Sequence, residues 1–249
     1  MFVLPKHKNI NAMKFTQTSI SIIFISILFS LSSCVNCIEP EGEIKTLDIK
    51  LDNFTRIDVE IPANIKLITG DSTRITISAP ESIVSQILAI VKRDRLNLEG
   101  NICNVKNNQI NIQITTPSLS ALKLKGSANV YSETPIRTDE LIMKINGSGN
   151  ISLNVFANSI ISDISGTGGI NINGTCKELV VDINGSGNFK GLGLNTYKAK
   201  VEIEGSGTAS VVALNNLNAK VDGSGEIRYS GEPNLKINIS GSGKITKIN

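Results

Sequence analysis

The chain has no tryptophan, a single histidine and few aromatic residues of any kind (4%). A core built on large rings is therefore excluded, and burial must rest on Ile, Leu and Val. The one histidine, His7, lies close to the N-terminus. Downstream of it no imidazole is available as a general base or a metal ligand, which removes the commonest acid–base residue and the commonest zinc ligand. Cysteine is scarce as well, at four residues. If Cys34 is consumed by modification, Cys37, Cys103 and Cys176 can form at most one disulfide, and no paired Cys-x-x-Cys sets suggest zinc. Isolated cysteines in strands usually fill the core.

The only sustained apolar run is near the start. Lys6, Lys8 and Lys14 precede the stretch Ile20 to Leu31, which ends in Leu31-Ser32-Ser33-Cys34. The run is short for a membrane span, and the order of basic, apolar and small residues is that of a secretory signal. Its end resembles the bacterial lipobox, in which cleavage precedes a cysteine that is then acylated. We therefore expect a lipoprotein signal peptide over residues 1–33, a lipidated Cys34, a tether over 34–46 and a folded domain over 47–249. Met13 is an alternative start. The formal net charge is +3. Loss of the three signal lysines leaves the mature chain neutral, and no basic stripe is interleaved with aromatics. Nucleic acid is not an expected partner.

What is abundant is glycine at a fixed period. Ile145-Asn146-Gly147-Ser148-Gly149-Asn150-Ile151 returns in altered form around Gly126, Gly166, Gly185, Gly205, Gly223 and Gly241, with steps of 21, 19, 19, 20, 18 and 18 residues. Seven copies at this period are the mark of a solenoid. Two residues before each first glycine stands an aliphatic: Leu124, Ile145, Ile164, Ile183, Ile203, Val221, Ile239. Beyond each corner stands another apolar residue: Val130, Ile151, Ile170, Phe189, Ala209, Ile227, Ile245. Alternation on the flanks, as in Leu141-Ile142-Met143-Lys144-Ile145, fits strands. The glycines supply positive φ or allow coils to approach closely, and Asn and Asp can share the left-handed positions. The expected fold is mostly β: a single-stranded β-helix with coils of about 18–21 residues. At roughly 4.8 Å per stacked strand, seven copies span roughly 30 Å.

Residues 47–118 are less regular than the repeats of 119–249. Alternation marks strands around Ile49, Val59, Leu67, Ile75, Leu96 and Ile112. Pro80-Glu81-Ser82-Ile83-Val84 breaks that pattern, and Ile83, Ile87, Leu88 and Val91 would share one helical face, so one short helix is expected near residues 81–91. At the other end, Lys244 and Lys247 on the last strand would discourage edge-to-edge pairing.

The order of these parts resembles one known family. Lipobox, Phe54-Thr55-Arg56-Ile57-Asp58-Val59, Ile68-Thr69-Gly70-Asp71, the Pro80–Val84 segment and then Gly-Ser-Gly-Asn repeats match the putative auto-transporter adhesin, head GIN domain family. Gly169-Ile170-Asn171 carries the motif of its name. The resemblance covers roughly residues 46–246. It implies a β-helical domain, mostly right-handed, on a lipoprotein of Bacteroidota-type bacteria, and brings no catalytic residue with it.

Parallel β-helices also serve as polysaccharide lyases and hydrolases, so acids near the corners matter. Glu204, Asp222 and Glu226, and Asp163 with Asp182, can meet on adjacent coils. No corner combines nucleophile, base and orienting partner, and Gly147-Ser148-Gly149 recurs as turn chemistry rather than as a unique nucleophile elbow. A solvated rim explains these acids better than a site does. No enzyme activity, cofactor or metal is expected. Stacked corners would instead align Ser127, Ser148, Thr167, Ser186, Ser206, Ser224 and Ser242 in one row, and Asn129, Asn150, Asn188 and Thr208 in another. Such a ladder suits hydrogen bonding to a glycan or a protein. The competing reading is that it only satisfies backbone groups of the turns. The expected role is a non-enzymatic outer-membrane lipoprotein, on either the surface or the periplasmic face, with an adhesin-like binding face; the alternatives are a structural or stress-related envelope component and a polysaccharide-acting enzyme.

Overall fold

A computed structural model describes residues 38–102 and 109–248. The expected signal peptide, Cys34, Cys37 and Cys103 lie outside them. Within the described residues the repeats form stacked parallel coils. One side holds β8 (Ala121–Gly126), the C-terminal parts of β10 (Ile136–Gly147), β11 (Asn150–Gly166), β12 (Gly169–Gly185) and β13 (Asn188–Gly205), then β15 (Asn216–Gly223) and β17 (Asn234–Gly241). After the corner a second side holds β9 (Asn129–Ser132), the N-terminal parts of β11, β12 and β13, then β14 (Thr208–Val212), β16 (Glu226–Ser230) and β18 (Lys244–Lys247). A short third side stacks Ile136–Thr138, Val155–Ala157, Gly174–Cys176 and Leu194–Thr196. The first glycines of all seven corners pair in register, so the sequence period is the coil length.

The alternating aliphatics fill the interior as expected. Leu124, Ile145, Ile164, Ile183, Ile203 and Val221 are buried on one side of the corner, and Val130, Ile151, Ile170, Phe189, Ala209 and Ile227 on the other. Each Val, Leu, Ile or Phe side chain among them contributes about 1.5–3 kcal/mol when fully buried. The last coil departs from this rule. Leu235, Ile237 and Ile239 occupy inward positions of β17 but stay exposed, because no described coil stacks beyond them.

The irregular half extends the stack with its coils out of chain order. β2 (Arg56–Val59) pairs in parallel with β8 on one edge and β6 (Arg95–Glu99) on the other. β3 (Asn64–Thr69) likewise lies between β9 and β7 (Asn111–Thr116). Antiparallel strands then close that end: β5 (Leu88–Lys92) on β6, β4 (Arg74–Pro80) on β7, and β1 (Ile44–Lys50) on β4.

Two expectations are revised here. The helix, α1, covers only Glu81–Val84, and 88–92 is strand β5. Ile83 and Ile87 are buried but Leu88 is exposed, so the apolar residues do not form one buried helical stripe. The β-branched residues of Leu88–Lys92 instead complete the ladder of β6. Residues 38–46 are docked rather than strung out as a tether. Ile38 bridges to Ile102, the Ser82 and Glu81 amides donate to the carbonyls of Glu41 and Glu43, and β1 already begins at Ile44.

Candidate binding face

The corners show which groups are free for a partner. All seven first glycines have positive φ, from +93° at Gly126 to +136° at Gly147. Asn and Asp do not share this role at the corners; the only non-glycine residues with positive φ among those described are Arg93 and Asp94. The corner amides bond to the coil before: the N–H groups of Ser148 and Gly149 both donate to Gly126 O and those of Thr167 and Gly168 to Gly147 O, while at the later corners the Ser186, Ser206, Ser224 and Ser242 N–H groups donate to the carbonyls of Gly166, Gly185, Gly205 and Gly223. Coil-to-coil carbonyls therefore satisfy the turn. The hydroxyls of Ser148, Thr167, Ser186, Ser206 and Ser224 are not needed for it and face solvent in a row.

Just past the corner, the second row is a ladder of amides. Asn150 Nδ2 donates to Asn129 Oδ1 at 3.0 Å, and Asn129 Nδ2 donates to Asn64 Oδ1 at 3.3 Å. Asn64 stands in register with Asn111, which lengthens the row into the irregular half. Higher up, Thr208 Oγ1 donates to Asn188 Oδ1. Sequence reading missed Asn64 and Asn111. A signal for Asn64 was present: Ala63-Asn64-Ile65 repeats the small–Asn–apolar pattern of Ala128-Asn129-Val130 and Gly149-Asn150-Ile151. Asn111 has no small residue before it and carries no such mark.

The ladder is interrupted once, at Gly169, which pairs with Asn150 below and Asn188 above. There the surface sinks into an open groove of about 420 Å³ lined by Asn150, Ser152, Thr167, Asn171, Asn188 and Lys190. Asn150 Oδ1 leans over the gap; a Cβ on Gly169 would lie 2.9 Å from it. Asn171 Nδ2 donates to Ser152 Oγ at 3.3 Å in the next row out, which continues from Lys190 to Ser210 and Arg228.

The acids lie elsewhere. On the side before the corner, Asp163, Asp182 and Glu202 stand in register on three successive coils, and Glu204 pairs with Asp222. Burial pushes the Asp182 carboxyl up; Lys200 opposes this, while Glu202, Asp163 and Glu204 add to it. Glu226 is past the corner, on the second side. A hydrogen bond from Arg228 lowers its pKa, and the two side chains are 2.7 Å apart. Among the described residues no group of three or more His, Cys, Asp and Glu is placed to hold a metal ion. Cys176 is a free, buried thiol beside Thr196, and burial raises its pKa. No helix among the described residues is long and apolar enough to cross a membrane.

Known structures share this architecture. The crystal structure of a putative adhesin from Bacteroides fragilis is 27% identical, with a TM-score of 0.79 over 85% of this chain and 100% of that one. A putative lipid binding protein from Parabacteroides distasonis is 25% identical, with a TM-score of 0.67 over 86% of this chain and 100% of its own. A putative adhesin from the same species, at 22% identity and a TM-score of 0.71 over 86% of this chain and 100% of that one, shares the fold. No curated protein shows significant similarity to the chain. Residues 53–233, which include every corner but the last, match the family described as putative auto-transporter adhesin, head GIN domain, and the chain belongs to it.

Proposed function

We propose that the chain is a non-enzymatic cell-envelope adhesin module, anchored through a lipid on Cys34, that binds a glycan across its Ser/Thr and Asn rows. The observation that carries this reading is that the corner amides are satisfied by the preceding coil, which leaves a regular array of hydroxyls and amides to solvent on a rigid support. Family membership suggests a cell-envelope or surface location. A polar array at fixed spacing suits a ligand that is itself a repeat of hydroxyl-bearing units. The lipid-binding description of one structural relative favours a different ligand, but here the interior is filled by side chains such as Phe54 and Phe189, and the groove at Gly169 is lined by amides, hydroxyls and an ammonium group.

The test is binding of the purified chain to a glycan array beside the triple variant Ser186→Ala, Ser206→Ala, Asn188→Ala. These side chains are exposed, so the fold should persist. Loss of array binding with an unchanged melting curve supports the reading. Unchanged binding sinks it. Labelling of cells with an alkyne fatty acid, lost in Cys34→Ala, checks the anchor.

A further inference from the structure

The interruption at Gly169 has a definite hydrogen-bonding polarity. Below it, each asparagine donates through Nδ2 to the Oδ1 of the coil before: Asn129 to Asn64, and Asn150 to Asn129. Asn150 thus turns its Nδ2 toward the coil before, and its Oδ1 leans over Gly169. Above the gap, Asn188 uses its Oδ1 to accept from Thr208, which leaves its Nδ2 to serve as donor. A residue at 169 continuing the ladder would give an N–H to Asn150 and take one from Asn188. Glycine supplies neither. The gap therefore presents one amide acceptor and one amide donor on opposite walls, two strand spacings or roughly 9–10 Å apart at the backbone. A carboxamide is the group that fits between them.

We propose that the missing rung at Gly169 is a subsite for the acetamido group of an N-acetylated amino sugar, resting on the glycan-binding reading above. The acetamido N–H donates to Asn150 Oδ1, and its carbonyl accepts from Asn188 Nδ2. The ring hydroxyls then meet Thr167, Ser152, Asn171 and the Lys190 ammonium around the groove. At about 420 Å³ the groove falls in the size range of small-ligand sites, roughly 300–1,000 Å³. A peptide carries the same carboxamide, but it docks on sheets mainly by adding a strand to a free edge. Here β12 is paired on both sides, with β11 and β13, so that route is closed.

The decisive variant is Gly169→Asn, which writes the missing rung into the chain. The φ of Gly169 is not in the left-handed region, and the nearest atom to a new Cβ is the end of the Asn150 side chain, which can swing aside. The variant should fold, with a melting temperature equal to or above that of the parent. The probes are immobilised oligomers of N-acetylglucosamine and of N-acetylgalactosamine, each beside its de-N-acetylated counterpart. The expected result is binding of at least one acetylated oligomer, at least tenfold weaker binding of its deacetylated form, and at least tenfold loss in Gly169→Asn. Gly169→Ala and Asn188→Ala serve should Gly169→Asn fail to fold, and the same loss is expected in both. Equal binding of acetylated and deacetylated oligomers, binding untouched by the variants, or no binding to either acetylated oligomer overturns the subsite. If array binding is lost in the Ser186/Ser206/Asn188 triple variant yet is indifferent to acetylation and to Gly169→Asn, the subsite falls and the glycan-binding face stands. If no glycan binds at all, both fall.

Discussion

Gly147 sits directly against the carbonyl of Gly126: a Cβ on Gly147 would lie 2.5 Å from Gly126 O, the atom that accepts from both Ser148 N and Gly149 N. The same contact recurs up the stack, so each corner is moulded on the one below it. Gly126 itself has positive φ, yet a Cβ there would meet nothing within 4 Å. The pair separates two demands placed on glycine.

Gly126→Ala should therefore cost only the left-handed backbone strain, about 1–2 kcal/mol. Gly147→Ala should cost that and about 1–3 kcal/mol more, because the new methyl group collides with backbone that cannot move without breaking both corner bonds. Urea melts followed by circular dichroism at the strand band measure the difference. Equal losses at the two positions would show that close stacking is not what the first glycines serve.

Ser162 is the second local test. It occupies an inward position in register with Met143 and Val181, is fully buried, and its Oγ is the one buried side-chain polar atom without a hydrogen-bond partner among the described residues. An unmet buried hydroxyl costs about 1–3 kcal/mol. Ser162→Ala should raise stability by about 1 kcal/mol, read as a higher urea midpoint at unchanged slope. A fall of the same size would mean that the hydroxyl is satisfied in solution, for instance by an internal water.

The repeats were legible because each coil repeats the same physical solution. An aliphatic two before the glycine, the glycine itself and an apolar residue beyond the corner are all fixed by packing against identical neighbours, as Ile145, Gly147 and Ile151 show. The first half was legible only as strands. Its coils run out of order, with β2 lodged between β6 and β8, and nothing in the local pattern of Arg56–Val59 encodes a partner so distant in sequence. The short helix was overread because Leu88 and Val91 fit a helical stripe as well as they fit a strand, and pairing with β6 decided the matter. The Ser and Asn rows followed from the period, but the gap did not. That Gly169 stands in a row of asparagines is visible in the sequence; that Asn150 Oδ1 is turned toward the gap while Asn188 Oδ1 is taken by Thr208 depends on the direction of the amide bonds.

The exposed end makes a prediction about solubility. Among the described strands β17 pairs only with β15 and β18 only with β16, which leaves open edges, with Leu235, Ile237 and Ile239 exposed on β17 and Lys244 and Lys247 exposed on β18. Lys247 is paired with Glu232. Lysines on an open edge oppose addition of another strand. The double variant Lys244→Val, Lys247→Val should self-associate at concentrations where the parent does not, as read by light scattering or size-exclusion chromatography. An unchanged elution profile across a hundredfold concentration range would remove the gatekeeper role.

Asp182 gives a pH dependence of unusual sign. Its carboxyl is raised above the ordinary value of 3.8, first by burial and then by Glu202, Asp163 and Glu204, with Lys200 pulling the other way. Asp163 and Glu202 stand in register on the coils to either side. Because the folded pKa exceeds the unfolded one, the folded chain holds this proton more tightly. Stability from this group is greatest below the unfolded value, falls as pH rises through the window between the two pKa values, and stays lower above it. That is the reverse of the common salt-bridged aspartate. Like charges directly opposed in a sheet are destabilising, and solvent screening holds a half-exposed charge pair to about 0.2–1 kcal/mol. Asp182→Asn should thus stabilise the chain at pH 7 by about 0.5 kcal/mol, and the gain should disappear once the pH drops below the unfolded carboxyl value near 4. Urea midpoints of parent and variant at both pH values decide it. A destabilised variant at pH 7 would mean that attraction to Lys200 outweighs burial and the flanking acids.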